Sequence, residues 1–277
     1  HSPWTGRLLQ ACGWCVLVAN PRKLKAIYGS KRKCDRLDAQ ILARLARVDP
    51  GLLHPVEHRG EQAQHDLLPV KMRDTLVRQR VALVNSLRGA VKSLGVRLPS
   101  CSSASFPRRA RALLEQQHPE LLEMAEPVLA AVEALSRQVS ACEEAIGQIA
   151  ERYPETARLR QIPGVGPITS ISFVLSVGDP GRFPESRDVG AWLGLVPGRD
   201  QSGDSDRQMP VSKEGNPYLR RLLVQGAQYI LGRFGPDCEL KRHGLRIAER
   251  GGKAAKKRAV VAVARKLAVL LLTLWKH

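Results

Sequence analysis

The spacing of apolar positions changes along the chain, and each change predicts a different kind of structure. Cys15 to Ala19 form a short unbroken apolar run that ends at Asn20 and Pro21, which predicts a buried strand. The segment 38–48 that follows is rich in Ala, Leu and Arg and predicts a helix. A strand followed by a helix indicates an α/β layer, and we assign residues 1–66 to it.

The next region, residues 67–153, shows helical spacing throughout. Valines and leucines recur every three or four residues from Val77 to Leu94, which predicts a long helix ending near Gly95. A second helix has a/d positions at alternating steps of four and three: Leu121, Ala125, Val128, Val132, Leu135, Val139, Cys142, Ile146 and Ile149. This repeat predicts a coiled-coil helical hairpin, in which the helices pair within one chain or between chains. Pairing between chains would give a dimer or tetramer. A plain layer of a helical bundle is the alternative.

The last region, residues 154–277, is predicted to be mostly helical. The sequence I-P-G-V-G-P, from Ile162 to Pro167, lies between two apolar segments and predicts the turn of a helix-hairpin-helix motif. Gly164 and Gly166 would expose backbone N–H groups at a helix start, where they can bind a DNA phosphate. A simple helix connector is the alternative. Further helices are predicted over residues 217–231 and 259–274.

Charge narrows the choice of partner. The 277 residues carry a formal net charge of +18, which favours a polyanion. Residues 115–151 hold eight acids and one base, whereas residues 241–277 hold eleven bases and one acid. No apolar run approaches the length of a membrane span, so nucleic acid is the expected partner rather than a membrane. Six scattered cysteines predict no disulfide framework, and no signal peptide is present, so we expect a cytoplasmic, nucleoid-associated protein.

A Gly-, Ser- and Pro-rich loop between residues 194 and 223 holds the first set of candidate functional residues. A serine in this loop is a candidate phosphate ligand or nucleophile, and the loop offers Ser202, Ser205 and Ser212. Their polar neighbours are predicted to contact nucleic acid: Arg199, Arg207, Lys213, Asn216, Arg220 and Arg221. Lys213, Arg220 and Arg221 could instead cap and solvate a helix.

The second candidate is a pair of carboxylates, Asp35 and Asp38. Their three-residue spacing places both on one face of a helix's first turn. Two converging carboxylates can hold Mg²⁺, which prefers oxygen ligands and supports nuclease chemistry at a phosphate. The alternative is that Asp35 caps the helix and Asp38 favours its positive end.

Together these segments resemble a known family. Their order is a strand with Asn-Pro, K-x-x-x-D-x-x-D-A from Lys31, a helical hairpin, I-P-G-V-G-P, G-L-x-P, S-G and S-K-x-G-N-x-x-L-R-R-L-L. The chain resembles the bridge-RNA-guided insertion-sequence transposases, which have an N-terminal RuvC-like DEDD domain and a C-terminal serine transposase domain. The resemblance implies an RNase H-like layer in which Asp35 and Asp38 match the last two of four Mg²⁺-binding acids. The first Asp and the Glu would precede His1, so the chain is expected to lack its start.

The resemblance also implies a function. Ser202 matches the serine nucleophile that cuts and rejoins DNA, in a site shared between protomers and guided by a structured noncoding RNA. Two other functions stay open at this point. One is a RuvC-like nuclease without serine chemistry, and the other is a non-catalytic, truncated coiled-coil protein that binds nucleic acid.

Overall fold

The computed structural model describes residues 2–21, 23–24 and 34–277. These residues form two compact units, His1–Gln62 and Ala63–His277. The first unit contains helices α1 (Ser2–Ala11) and α2 (Asp35–Val48), followed by a short 3₁₀ helix, Pro50–Leu53. The predicted helix over 38–48 is therefore present and begins three residues earlier.

The predicted buried strand over residues 15–19 is wrong for this structure. The segment is extended, but none of its residues is buried, and Leu17 is 48% exposed. Two backbone hydrogen bonds connect this segment to residues 53–56: Val56 N donates to Val18 O at 2.8 Å, and Asn20 N donates to Leu53 O at 3.0 Å. Among the described residues no second strand flanks it, so its apolar side chains have no sheet to be buried in. The RNase H-like layer remains a prediction.

Helices make up most of the second unit. Helix α3 (Glu61–Ser93) begins at the boundary between the units. It is followed by α4 (Phe106–Gln117), α5 (Pro119–Glu151), α6 (Glu155–Leu159), α7 (Pro167–Val177), a 3₁₀ turn (Pro180–Arg182), α8 (Asp188–Trp192), α9 (Pro217–Leu231), α10 (Glu239–Ala248) and α11 (Gly252–Lys276). The helices predicted from apolar spacing are all present, and most are longer than predicted.

Helices α3 and α5 run antiparallel within one chain. Arg73 Nε donates to Glu143 at 2.8 Å, and Arg80 donates to the Ser136 hydroxyl at 3.3 Å. These pairs put successive turns of α3 beside turns of α5 in reverse order. The alternate seam positions of α5 are buried: Ala125, Val132, Val139 and Ile146. The seam is thus used inside the monomer, and coiled-coil pairing between chains remains a prediction.

A buried carboxylate closes the far end of this hairpin. The Asp66 side chain, 4% exposed, pairs with Arg152 and accepts a hydrogen bond from the Tyr153 hydroxyl at 2.6 Å. Burial and this bond to Asp66 raise the pKa of Tyr153 to about 12, so its phenol stays neutral and donates. Nothing in the sequence joins residues 86 positions apart, and this link was not predicted.

The main core of the second unit surrounds α11. One face of that helix is fully buried, including Val263, Leu267 and Leu271. It packs against α7 and α9, which contribute residues such as Phe173 and Leu223. Within the described part of the chain, none of the helices is long and apolar enough to cross a bilayer.

The segment predicted as a loop forms a β-hairpin over residues 197–211. Strand β1 (Pro197–Ser202) pairs antiparallel with β2 (Ser205–Val211), and the register irregularity falls between Pro197 and Arg199. The exposure of most β1 side chains shows that the hairpin adds little to the core. The hairpin therefore presents most of the β1 side chains to solvent.

Candidate active site and nucleic-acid interface

Ser202 lies at the tip of the hairpin. It is the last residue of β1 and pairs with Ser205, the first residue of β2, across the two-residue turn Gly203-Asp204. Gly203 has φ +54°, as the first central position of a II′ hairpin turn requires. Ser202 and Ser205 are both exposed. The turn thus places the Ser202 hydroxyl where a large substrate such as DNA can reach it.

At the base of the hairpin, the chain segments that carry Gly194 and Gly215 cross in direct backbone contact. A Cβ atom on Gly194 would overlap the backbone of Lys213 and Glu214, and one on Gly215 would overlap the Trp192 carbonyl. Lys213 N also donates to Gly194 O at 3.2 Å. Only residues without a side chain allow this approach. The G-L-x-P and S-K-x-G-N segments are thus two halves of one backbone crossing.

Arg220 and Asn216 hold this crossing in place. The Arg220 guanidinium donates to Leu193 O at 2.9 Å and to Glu214 O at 2.6 Å, bonding both chain segments that meet there. Asn216 caps α9 by accepting from the backbone N–H groups of Tyr218 and Leu219, and its amide donates to Ser176 at 3.2 Å. These contacts give both residues a positioning role. Their predicted contact with nucleic acid is untested.

Two arginines flank the serine on the hairpin strands. Arg199 forms a bidentate ion pair with Asp206 on the opposite strand, at 2.9 and 2.8 Å. The hydrogen bonds to Asp206 raise the pKa of Arg199, which keeps the guanidinium charged. Arg207 is exposed and lies opposite Asp200. An exposed ion pair contributes little to stability, so Arg199 can exchange Asp206 for a phosphate at small cost.

Ser212 and Lys213 occupy different environments at the hairpin base. The Ser212 hydroxyl is buried and has no hydrogen-bond partner among the described residues. Lys213 is exposed and has φ +55°, in the left-handed region. The burial of Ser212 leaves Ser202 and Ser205 as the accessible hydroxyls of the three candidates.

Arg221 contacts α3. It pairs with Asp74 and lies over the Tyr218 ring at 5.1 Å. Asp74 also pairs with Arg78 at 3.2 Å. No pattern in the sequence indicates this cluster, because Arg221 and Asp74 are separated by 147 positions.

The I-P-G-V-G-P turn joins α6 to α7 beside α9. Gly166 lies at the N-terminal cap of α7, is exposed, and has no atom that a Cβ would approach within 4 Å. Gly164 instead packs against the backbone of Gly226 in α9. The turn borders an open cleft of about 680 Å³ that Arg73, Arg160 and Gln225 also line. A phosphate at this helix start would meet Gly166 before Gly164.

In the first unit, Asp35 and Asp38 lie on the first turn of α2. Asp35 is exposed, Asp38 is half-buried, and Cys34, not Asp35, occupies the N-cap position. Both carboxylates favour the positive end of the helix dipole. Their oxygen ligands suit Mg²⁺, but no third acid, His or Cys joins them into a metal-binding group within the described residues. The neighbouring basic residues 31–33 lie outside the described part of the chain.

The net charge of +18 and the exposed arginines of the hairpin suit a protein that binds nucleic acid. Comparison with known proteins gives the family. The model described as the transposase IS116/IS110/IS902 family matches residues 156–243, and a second transposase model, of the DEDD type, matches residues 2–95. The chain belongs to the IS116/IS110/IS902 family of insertion-sequence transposases.

Individual relatives agree with these matches. The chain is 31% identical over 270 residues to the transposase for insertion sequence element IS1111A of Coxiella burnetii, covering 96% of this chain and 72% of that protein. It is 30% identical over 231 residues to the y4pF/y4sB protein of Sinorhizobium fredii, covering 81% and 58%. The transposase for IS1328 of Yersinia enterocolitica is 29% identical over 229 residues, covering 82% and 67%.

Proposed function

We propose that this transposase cuts and rejoins DNA through a covalent intermediate on Ser202. The observation that carries the proposal is the position of this serine. It is exposed at a tight turn, between strands that carry Arg199 and Arg207. Guanidinium groups bind phosphate oxygens in a defined geometry and can orient a phosphodiester beside the hydroxyl.

The proposed reaction exchanges one ester for another. The Ser202 oxygen forms a bond to phosphorus while the bond from phosphorus to a deoxyribose oxygen breaks. The serine proton is lost and a proton is taken up by the leaving oxygen, so the DNA end is released as a hydroxyl. The phosphoserine retains the ester bond, and attack by a second DNA hydroxyl reverses the step and joins the new strand.

We further propose that Asp35 and Asp38 hold Mg²⁺ as two of the four acids of the DEDD set. A divalent ion at such a site stabilises negative charge on a phosphate that is being attacked. The two carboxylates supply the hard oxygen ligands that the ion prefers. In the proposed complex the acids of one protomer act with the serine of another, in a dimer or tetramer.

Choice of DNA sequence is assigned to a structured noncoding RNA. The hairpin presents two arginines, Arg199 and Arg207, and such groups bind the nucleic-acid backbone without reading its sequence. Base pairing between an RNA and the two DNA partners would supply the specificity that backbone contacts lack. The high positive charge of the chain suits two polyanionic partners.

The test is a covalent-adduct assay on the full chain, with labelled DNA and a structured guide RNA. Ser202→Ala is expected to abolish the denaturant-resistant protein–DNA adduct while nucleic-acid binding remains. Ser205→Ala is the matched control, because Ser205 lies directly opposite on the same exposed turn. Mass spectrometry of the wild-type adduct should locate the phosphate on Ser202.

The alternatives give different results in the same assay. A nuclease without serine chemistry would cut DNA with Ser202→Ala, would need Asp35 and Asp38, and would form no adduct. A non-catalytic binding protein would bind DNA and neither cut it nor form an adduct. An adduct that persists in Ser202→Ala and disappears in Ser205→Ala would reassign the nucleophile.

A further inference from the structure

A groove of about 1010 Å³ runs along α11 from the base of the serine hairpin. One face of α11 forms its floor, and α10 and the ends of β1 and β2 form its walls. The residues of α11 that line it recur in pairs at four-residue intervals: Lys257, Arg258, Val261, Ala262, Arg265, Lys266, Val269, Leu270 and Thr273. The groove therefore follows one continuous helical face.

Basic and apolar pairs alternate along the α11 face. Lys257 and Arg258 are followed by Val261 and Ala262, then by Arg265 and Lys266, and the apolar part beyond them holds Val269 and Leu270. Leu195 and Val211 add two more apolar side chains to the lining. A ligand that fits the whole groove must combine negative charge with flat or bulky apolar groups.

The cations of the groove are not neutralised by the protein. Among the described residues, all four α11 cations lack a carboxylate within ion-pairing distance. One acid lines the groove, Glu239 at the start of α10. Such an excess of positive charge attracts an anion and makes its binding salt-dependent.

His243 of α10 lies on the wall of the groove, where nearby cations affect its pKa. Its pKa is lowered by burial, and by Lys266 and Arg246, while Glu239 opposes the shift. The imidazole is therefore neutral near pH 7 and can accept or donate a hydrogen bond to a base edge. A bound phosphate would counteract the cations and raise the pKa of His243.

We propose that the groove binds a single-stranded stretch of RNA. Its phosphates would contact Lys257 and Lys266, and an unstacked base would enter the apolar part beside Val269 and Leu270. A duplex keeps its bases stacked inside and offers no apolar group for this part, whereas single-stranded RNA can splay its bases outward. Glu239 repels phosphate but can accept a hydrogen bond from a ribose 2′-hydroxyl, which favours RNA over DNA. The inference rests on the proposed RNA partner and gives it a site next to the hairpin.

A binding experiment with fluorescent oligouridine tests the groove directly, with the full chain in a Ser202→Ala background. Lys257→Ala/Lys266→Ala should reduce the slope of log K against log salt by about 1.4, because each phosphate that a lysine neutralises on a single strand adds ~0.7 to the slope. Lys253→Ala/Lys256→Ala is the matched control. These two lysines are exposed on the same helix and do not line the groove, so a smaller change is expected.

A second variant tests the contribution of the apolar part to binding independently of charge. Ala262→Trp fills the groove and leaves every cation in place, and helical content by circular dichroism checks its folding. It should weaken oligouridine binding at least tenfold and leave binding of an RNA duplex unchanged. Equal loss for both RNAs, or oligothymidine that binds wild type as tightly as oligouridine does, would overturn the single-stranded RNA assignment.

Photocrosslinking with 4-thiouridine locates the contact. Crosslinked peptides from α10 or α11, together with a raised His243 pKa by NMR in the complex, support the proposal. Crosslinks confined to the hairpin or to the turn at Gly166 would overturn it, as would groove variants that change the oligomeric state and not RNA binding. These outcomes are independent of the adduct assay, so the groove and the Ser202 mechanism can fail separately.

Discussion

Gly164 and Gly226 touch each other through their backbones. A Cβ atom on Gly164 would lie 2.6 Å from the carbonyl oxygen of Gly226, and one on Gly226 would lie 2.7 Å from that of Gly164. The contact sets the turn before α7 directly against α9. Gly164 is therefore explained by packing without any ligand, whereas Gly166 has open space around it.

This contact predicts that Gly226→Ala destabilises the protein. The added methyl group forces the turn away from α9, and overpacking of this kind costs about 1–3 kcal/mol. Gly166→Ala adds the same methyl group to open space and should change the free energy of unfolding much less. Denaturant unfolding of the two variants measures the difference, and equal stabilities would contradict the predicted close packing.

The ion pair between Arg199 and Asp206 predicts a gain of function in binding. Asp206→Asn releases Arg199 from its carboxylate and makes it available to a phosphate. Affinity for duplex DNA should rise, and the slope of log K against log salt should steepen by about 0.9, the value for one more phosphate contact. Fluorescence anisotropy over a salt series measures both quantities.

Asp204→Asn is the control for this prediction, because it removes the same charge from the adjacent turn and leaves the Arg199 pair intact. A similar gain in both variants would mean that net charge alone is responsible. Arg199→Ala should weaken binding and make the slope shallower.

The link between Tyr153 and Asp66 predicts a shifted titration. The Tyr153 phenol should ionise at a pKa of about 12 in the folded protein, above the usual 10.0. Asp66→Asn removes one of the two main causes and should lower this pKa, while burial keeps it above 10.0. NMR or absorbance titration, with Tyr153→Phe to assign the signal, measures the shift.

The raised pKa of Tyr153 determines how the stability of the folded protein changes with pH. Because folding raises this pKa, the folded state holds the phenol proton more tightly than the unfolded state. The contribution is complete below pH 10.0 and is lost as pH rises from there through about 12. Tyr153→Phe should lack this part of the alkaline loss, and an unchanged profile would contradict the link.

The ion pairs of Arg111 predict that stability is lost at acid pH, whereas the Tyr153 link predicts a loss at alkaline pH. Arg111 joins α4 to α5 by pairing with Glu126 at 2.7 Å and with Glu133. Hydrogen bonds from Arg111 are the largest effect on both glutamates and lower the pKa of each below 4.5. The stabilisation is therefore present above pH 4.5 and is lost as pH falls through the lowered pKa values.

A pH series of melting temperatures tests this dependence. Glu126→Gln/Glu133→Gln should flatten the acid limb of the profile, because the groups that take up protons on unfolding are gone. Glu123→Gln, on an exposed position of the same helix, should leave it as steep as in wild type. If the acid limb of the double variant is as steep as that of wild type, other carboxylates cause the loss of stability in acid.

The sequence predicted helices well and the strand badly, for one physical reason. Apolar residues at helical spacing define a face whatever that face packs against, so the helices over 121–149 and 217–231 could be placed from sequence. A run such as 15–19 becomes a strand only when a neighbouring segment completes its hydrogen bonds. Among the described residues only two backbone hydrogen bonds, to Val56 and Leu53, reach this segment, so the run stays extended and unburied.

The sequence by itself determined the family, the helices, the charge and the short list of candidate residues. These follow from residue identity and spacing, which local rules and motif order can read. Tertiary structure decided which candidates face solvent and which hold the fold together. Ser202 is exposed on its turn, whereas Arg220 bonds the crossing of Gly194 and Gly215. Contacts between residues far apart in the chain depend on how the helices pack, and no local pattern encodes them.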